Sequence, residues 1–410
     1  MLYDAYEMQR SLLAGASTLA NLGSGWMQNP ANPFSYSHMG PIVASALDVF
    51  AHASAPRGKP EFGIGSVIVD GRTVPVSEEI VLRKPFGQLK RFRKEGVEAG
   101  PKLLMVAPMS GHYATLLRGT VERMVPGYDV YITDWRDAKL VPLADGGFDL
   151  DDYIDYLVAF LEHIGSQDGE ERAHMLAVCQ PSVPAYAAAA VMSADGHPCR
   201  PKTLTMMGGP IDTRRAPTEV NTVATQRPYA WFEHNVIATV PYHYPGGGRH
   251  VYPGFLQLAG FMAMNLGDHL NSHWEMFKHL VQGDGEGAEA SKHFYEEYRS
   301  VCDMTAEFYL QTIDVVFQRH ALPKGEMTHR GRRVDPASIA DVALLAIEGE
   351  RDDISGVGQT KAALDISTGL PAKLKKYHLA RGVGHYGIFH GSKWRGRIAP
   401  VLEEWIARHG

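Results

Sequence analysis

A short apolar run that ends at a cysteine constrains this chain of 410 residues more than any other feature. Residues 173–178 have the length and apolar character of a buried strand, and Cys179 follows them directly. After Gln180 and Pro181 comes the alanine-rich run 185–190, which has the composition of a helix. The pattern therefore predicts a strand, a sharp turn that carries Cys179, and a helix.

A turn of this kind presents the nucleophile in α/β-hydrolases, whose usual signature is Gly-x-Ser-x-Gly. The flanking residues must be small because the strand and the helix approach each other closely, and here Ala177 and Pro181 replace the glycines. Proline is tolerated in the first helical turn. A helix that starts after Cys179 also directs N–H groups and a positive dipole end at the sulfur, which favours the thiolate. The alternative interpretation is a buried core cysteine at a strand end.

Two downstream segments have the pattern expected of the remaining catalytic groups. Residues 342–347 predict a buried strand that leads into Gly349-Glu350-Arg351-Asp352-Asp353-Ile354-Ser355. Residues 374–379 predict another strand, which leads into Gly384-His385-Tyr386-Gly387. An acid after one strand and a histidine after the next reproduce the chain order of α/β-hydrolases.

We therefore predict an α/β fold of the α/β-hydrolase type with the triad Cys179, Asp352 and His385. Asp353 is the alternative acid. Asp352 is preferred because the acid usually lies three residues after the glycine that ends the strand, here Gly349.

The oxyanion hole requires two backbone N–H groups beside the nucleophile. The residue after the nucleophile supplies one, here Gln180. The other comes from the loop after an earlier strand, predicted at residues 102–107, and we assign it to Ser110 with Met109 as the alternative. His112 lies in this same loop, which is the wrong place for the catalytic base.

The chain divides into three predicted parts. Residues 1–100 form an N-terminal extension with helices and the first strands, and residues 101–211 with 338–410 form the hydrolase core. Residues 212–337 interrupt the core as a large, mainly helical cap or lid. The cap aromatics that would pack internally or line an apolar path to the thiol are Tyr229, Trp231, Phe232, Tyr242, Tyr244, Tyr252, Phe255, Phe261, Trp274 and Phe277.

Composition narrows the classes of partner. A net charge of −6 gives no electrostatic case for nucleic acid. Three cysteines without framework spacing argue against a disulfide-built secreted protein and indicate the cytoplasm. No metal or cofactor is expected, since His269 and His273 form an i, i+4 pair without a matching carboxylate pattern.

The N-terminal segment 12–20 predicts an amphipathic helix instead of a secretory signal, because Asp4 and Glu7 precede it and only Arg10 is basic. No segment reaches 18 uninterrupted apolar residues, so no membrane span is expected. The helix would pack on the body, with contact to a hydrophobic particle as the alternative.

The chain resembles the intracellular poly(3-hydroxybutyrate) depolymerases of granule-storing bacteria, which are cysteine-bearing relatives of the polyhydroxyalkanoate synthases. The resemblance spans essentially the whole chain. It is carried by Met1-Leu2-Tyr3-Asp4-Ala5-Tyr6-Glu7-Met8-Gln9-Arg10, by Val178-Cys179-Gln180-Pro181, and by the segments 349–355 and 384–387.

The resemblance implies hydrolysis of amorphous storage polyester through an acyl-cysteine, without a cofactor, by a cytoplasmic protein associated with polyhydroxyalkanoate granules. Polymer is then the expected partner, and the sequence leaves open whether the protein is a homo-oligomer. Two alternatives remain: a synthase or thiolytic acyltransferase with the same triad, and a granule-associated protein without activity.

Overall fold

A nine-stranded sheet forms the centre of the computed structural model, which describes residues 2–37, 39–55, 58–166, 172–264 and 300–410. The strands are β1 (Ser66–Val69), β2 (Arg72–Lys84), β3 (Gly87–Lys94), β4 (Lys102–Val106), β5 (Asp129–Trp135), β6 (His174–Val178), β7 (Thr203–Met207), β8 (Ala238–Thr239), β9 (His250–Tyr252), β10 (Met304–Thr305), β11 (Thr328–His329), β12 (Arg332–Arg333), β13 (Ala343–Gly349) and β14 (Lys375–Ala380).

The helices cover both faces of the sheet. They are α1 (Leu2–Gln28), α2 (Gly40–Ser54), α3 (Arg118–Met124), α4 (Leu150–Ser166), α5 (Ser182–Ala194), α6 (Glu219–Gln226), α7 (Tyr229–Asn235), α8 (Gly254–Met264), α9 (Ala306–Gln311), α10 (Ala321–Lys324), α11 (Ala362–Ile366), α12 (Gly391–Lys393) and α13 (Ala399–His409). Two π-helical segments continue helical runs, at Thr312–Gln318 and Trp394–Ile398.

The order of the large sheet is β1-β2-β3-β5-β4-β6-β7-β13-β14. The pairs β1-β2, β2-β3 and β3-β5 are antiparallel. The remaining pairs, from β5-β4 to β13-β14, are all parallel. Strands β4, β5, β6, β7 and β13 are buried along their whole length, as expected for parallel strands covered on both faces. This order and these directions are those of the α/β-hydrolase fold, so the predicted fold class is confirmed.

The first hairpin has a turn whose residue types match its backbone geometry. Asp70 and Gly71 connect β1 to β2, and both have positive φ angles, of 49° and 75°. Such a pair forms the two-residue turn whose twist matches a hairpin. Basic residues of β3 form ion pairs with neighbouring strands: Lys90 contacts Glu78 at 2.6 Å and Arg91 contacts Asp129 at 2.9 Å.

Helices α1 and α2 pack together beside the hydrolase body. Ser17 donates a hydrogen bond to the carbonyl oxygen of Ala51 at 2.8 Å, and Ser24 donates to that of Ala44 at 3.0 Å. Tyr3 anchors the start of α1 by donating to Asp303 at 2.5 Å. None of the helices in the described ranges is long and apolar enough to cross a membrane.

The segment between β7 and β13 is not purely helical. Besides α6 to α10 it contains the small antiparallel sheet β10-β9-β8 and the hairpin β11-β12. His269, His273, Trp274 and Phe277 lie outside the described residues. The division of the chain into extension, core and cap stays a prediction.

Candidate active site

Cys179 lies in a strained turn at the carboxyl end of β6. Its φ angle is +68°, a left-handed conformation that residues with a side chain rarely adopt and that clusters at functional sites. Its N–H donates to the carbonyl oxygen of Met207 at 2.7 Å, which ties the turn to β7. Pro181 has the helical φ of −59° directly before α5. A Cβ atom on Gly209 would lie 2.2 Å from Cβ of Ser182, so the close approach depends on that glycine.

Asp352 and His385 meet beside this turn, after β13 and β14 respectively. Nδ1 of His385 donates to Oδ2 of Asp352 at 2.8 Å. The other carboxylate oxygen accepts from the N–H groups of Ile354 at 2.9 Å and Ser355 at 2.7 Å. The Asp352 side chain is fully buried, whereas Asp353 is exposed. The structure therefore places Asp352, and not Asp353, against His385.

Two opposing effects set the pKa of His385. Burial of the imidazole lowers it, but the Asp352 carboxylate and the Cys179 sulfur, which also shares a hydrogen bond with the ring, raise it well above its ordinary value. The charged imidazolium is thus favoured between a carboxylate and a thiol. This is the arrangement that holds a proton ready for transfer.

The loop after β4 faces the same turn. Its first residue, Ala107, is held by three hydrogen bonds. Its N–H donates to the Thr133 hydroxyl oxygen at 2.9 Å, and its carbonyl oxygen accepts from Trp135 at 2.8 Å and Tyr153 at 3.2 Å. The N–H of Met109 donates to the side-chain oxygen of Gln180 at 3.3 Å.

Ser110 and His112 line the same cavity as Cys179. His112 is buried and its backbone pairs with Val301. The assignment of the second oxyanion donor to Ser110 stays a prediction, while the contact made by Met109 favours the alternative that the sequence left open.

A cavity of about 460 Å³ opens over Cys179, His385 and the loop after β4. Its outer wall comes from the segment between β7 and β13. Of the cap aromatics that the sequence singled out, Phe232 and Tyr252 line it. The described residues that line it include no lysine or arginine, and their only carboxylate is that of Glu219.

Sequence reasoning missed three aromatic residues of this wall, Phe308, Tyr309 and Phe317. They lie on α9 and the π-helical segment that follows it. Their i, i+1, i+9 spacing spreads them over about 180° of a regular helix, so helical periodicity gave no signal that they line one wall. Gly208, at the end of β7, lies beside the site as its position after that strand predicts, and a Cβ atom there would lie 3.0 Å from Cε1 of His385. Within the described residues, no group of three or more His, Cys, Asp or Glu side chains could hold a metal ion.

Comparison with known proteins gives this geometry a family. Residues 208–410, which contain Asp352 and His385, match the model of the "PHB de-polymerase C-terminus" family. The chain is also 22% identical over 325 residues to the poly(3-hydroxyalkanoate) polymerase subunit PhaC of Haloarcula marismortui, with 76% of this chain covered. These two matches support a family related to the polyhydroxyalkanoate synthases and depolymerases. The chain spans 62% of the length of the archaeal polyhydroxyalkanoate relative.

The solved structures that resemble this chain are distant from it in sequence. Naproxen esterase from Bacillus subtilis is 14% identical with a TM-score of 0.45, and the match covers 82% of this chain and 92% of the esterase. The hydrolase BphD from Rhodococcus sp. strain RHA1 is 12% identical with a TM-score of 0.45, over 82% of this chain and 100% of that one.

Proposed function

We propose that the protein is a depolymerase that hydrolyses the ester bonds of amorphous poly(3-hydroxybutyrate) through an acyl-cysteine intermediate. The observation that carries the proposal is the buried Asp352–His385 pair beside the Cys179 thiol at the floor of an apolar cavity. The match of residues 208–410 to the depolymerase family model and the similarity to the archaeal polymerase subunit support the polyester as substrate.

Acylation involves Cys179, His385, Asp352 and the backbone N–H groups beside the thiol. In the resting site His385 already holds the thiol proton as the imidazolium, and the Cys179 thiolate attacks the ester carbonyl carbon. Backbone N–H groups of Gln180 and of the loop after β4 stabilise the tetrahedral oxyanion, each by about 2.7–4 kcal/mol. The bond from carbon to the ester oxygen then breaks, and His385 gives its proton to the departing hydroxyl. Asp352 orients the imidazole and stabilises its charged form throughout.

Deacylation repeats the same steps with water. His385 takes a proton from a water molecule, whose oxygen attacks the thioester carbon, and the sulfur leaves as the thiolate. The proton then stays on His385, so the imidazolium and the thiolate of the resting enzyme are restored. The products are a shortened polymer chain and a free hydroxyacid or oligomer.

The chemistry of the cavity suits a neutral polyester. Poly(3-hydroxybutyrate) offers methyl groups and ester carbonyls without charge, and the wall around the thiol is mainly apolar and aromatic. A substrate that carries phosphate or carboxylate groups would find no lysine or arginine among the described lining residues.

Helix α1 supplies a surface for contact with the granule. Met8, Leu12, Leu19, Leu22 and Trp26 recur at helical spacing and are each 58–72% exposed. Residues 11–28 contain no charged side chain. Helices that bind anionic bilayers are rich in lysine and arginine, so this face fits a neutral apolar particle better. We propose that it rests on the polyester and that the protein is a cytoplasmic, granule-associated enzyme.

The first test is release of 3-hydroxybutyrate from amorphous polymer particles by wild type and by the Cys179→Ala and Cys179→Ser variants. Loss of release in the alanine variant is expected. Full release by that variant would disprove the thiol mechanism. Particle binding without release by any form would indicate a granule-associated protein that lacks activity.

A second candidate is a synthase or thiolytic acyltransferase, which the archaeal polymerase subunit among its relatives favours. The same triad would then pass the acyl group to a hydroxyl or a thiol instead of water. Purified protein given 3-hydroxybutyryl-CoA distinguishes the two, because polymer formation would replace hydrolysis as the assigned activity.

A further inference from the structure

The side chain of Gln180 occupies a backbone hydrogen-bond donor that the reaction needs to be free. Its amide oxygen accepts from the N–H of Met109 at 3.3 Å, and both residues line the cavity beside Cys179. An amide oxygen is chemically similar to the carbonyl oxygen of an ester. The resting protein thus presents to this N–H the kind of atom that a substrate would bring to it.

The loop does not need this contact to keep its place. On one side Ala107 is held by Thr133, Trp135 and Tyr153. On the other side the carbonyl oxygen of Gly111 accepts from the N–H of Cys302 at 2.7 Å, and the next residue pairs with Val301. The hydrogen bond of the partly buried Gln180 side chain is an addition to a loop that is anchored at both ends.

We propose that the Gln180 side chain occupies the oxyanion donor of Met109 in the absence of substrate and is a specificity-determining group that an ester must displace. This inference rests on the proposed function. A polymer segment that fills the apolar cavity gains contacts along its length, whereas a short ester gains few. The free-energy cost of displacing Gln180 is therefore offset less by the contacts of a short ester than by those of a polymer segment. Gln180 thus favours long chains as substrates.

The experiment measures acylation by itself, as the single-turnover release of nitrophenolate from p-nitrophenyl butyrate. Gln180→Met keeps the size of the side chain and removes the acceptor, so we expect acylation about two- to tenfold faster, the net effect of one neutral hydrogen bond. Release of 3-hydroxybutyrate from particles should change less. Gln180→Glu should slow acylation, because a carboxylate binds the N–H more tightly. Gln226→Met, an exposed glutamine at the end of α6, is the matched control and should acylate like wild type.

An unchanged or slower rate in Gln180→Met would overturn the inference, since a side chain that supports the loop gives a loss in place of a gain. Gln180→Ala repeats the test if the methionine variant does not fold. Faster acylation without hydrolysis of polymer by any form would leave the inference standing and reject the depolymerase. Absence of nitrophenolate release from wild type would reject both.

Discussion

The Asp352 carboxylate is held by two backbone N–H groups on one oxygen and by His385 on the other. The first two bonds come from Ile354 and Ser355, so the loop that follows β13 orients the carboxylate independently of His385. His385 in turn reaches it from the loop after β14, the edge strand of the sheet. The relation depends on two parallel neighbouring strands that end at the same edge.

Replacement of Asp352 by asparagine should reduce turnover by about a thousandfold or more while the protein still folds, because an amide neither orients the imidazole correctly nor stabilises its charge. Loss of the carboxylate removes a group that raises the pKa of His385 and leaves burial, which lowers it. The alkaline limb of the pH profile of kcat/KM, where the imidazolium loses its proton, should therefore move to lower pH. Asp353→Asn is the matched control, and a comparable loss in that variant would reassign the acid.

The raised pKa of His385 also predicts a pH-dependent stability. The folded protein holds a proton that an unfolded histidine, with a pKa of about 6.5, releases near neutrality. This stabilisation is complete below about pH 6.5 and is lost as the pH rises through the folded pKa. The difference in the free energy of unfolding between wild type and His385→Gln should accordingly decrease from pH 6.5 to 9 in urea titrations. A difference that grows over this range would contradict the charged imidazolium.

Much of the fold could be predicted because each strand has a local signature. The run that ends at Cys179 gave the correct strand, since apolar residues of that length fit a parallel strand buried on both faces. The turn at Asp70 and Gly71 was equally readable, because its residue types match the positive φ angles that a tight hairpin requires.

The remainder depends on contacts between distant segments. The pairing of Asp352 with His385 followed from strand order, but the contact of the Gln180 side chain with Met109 depends on side-chain rotamers that no spacing encodes. In the cap, Phe232 packs against α9 from more than 70 positions away, so its place on the cavity wall could not be sorted from other aromatics.

Gly208 should be as intolerant of a side chain as the triad itself. Its φ angle is +59°, and a Cβ atom there would lie 2.7 Å from Cδ1 of Ile388 and 3.0 Å from Cε1 of His385. Gly208→Ala should lower kcat for p-nitrophenyl butyrate at least tenfold and destabilise the fold by about 1–3 kcal/mol, the typical penalty for a strained backbone. Gly396→Ala is the control, because nothing lies within 4 Å of its added Cβ. Equal kinetics in the two variants would show that His385 does not need its observed position.

The exposed face of α1 should separate particle binding from chemistry. Leu12→Glu with Leu19→Glu places two charges on the uncharged stretch and should reduce sedimentation with polymer particles at least tenfold, since each exposed leucine contributes about 1.5–3 kcal/mol when buried. Hydrolysis of p-nitrophenyl butyrate should stay within twofold of wild type, because the helix does not line the cavity. Val97→Glu, on a surface loop of the sheet, controls for the added charge. Unchanged particle binding would reject the surface. If the variant instead lost only binding to phosphatidylglycerol vesicles, the face would be assigned to a membrane. If it lost only a dimer seen on gel filtration, the face would be assigned to a second copy of the chain.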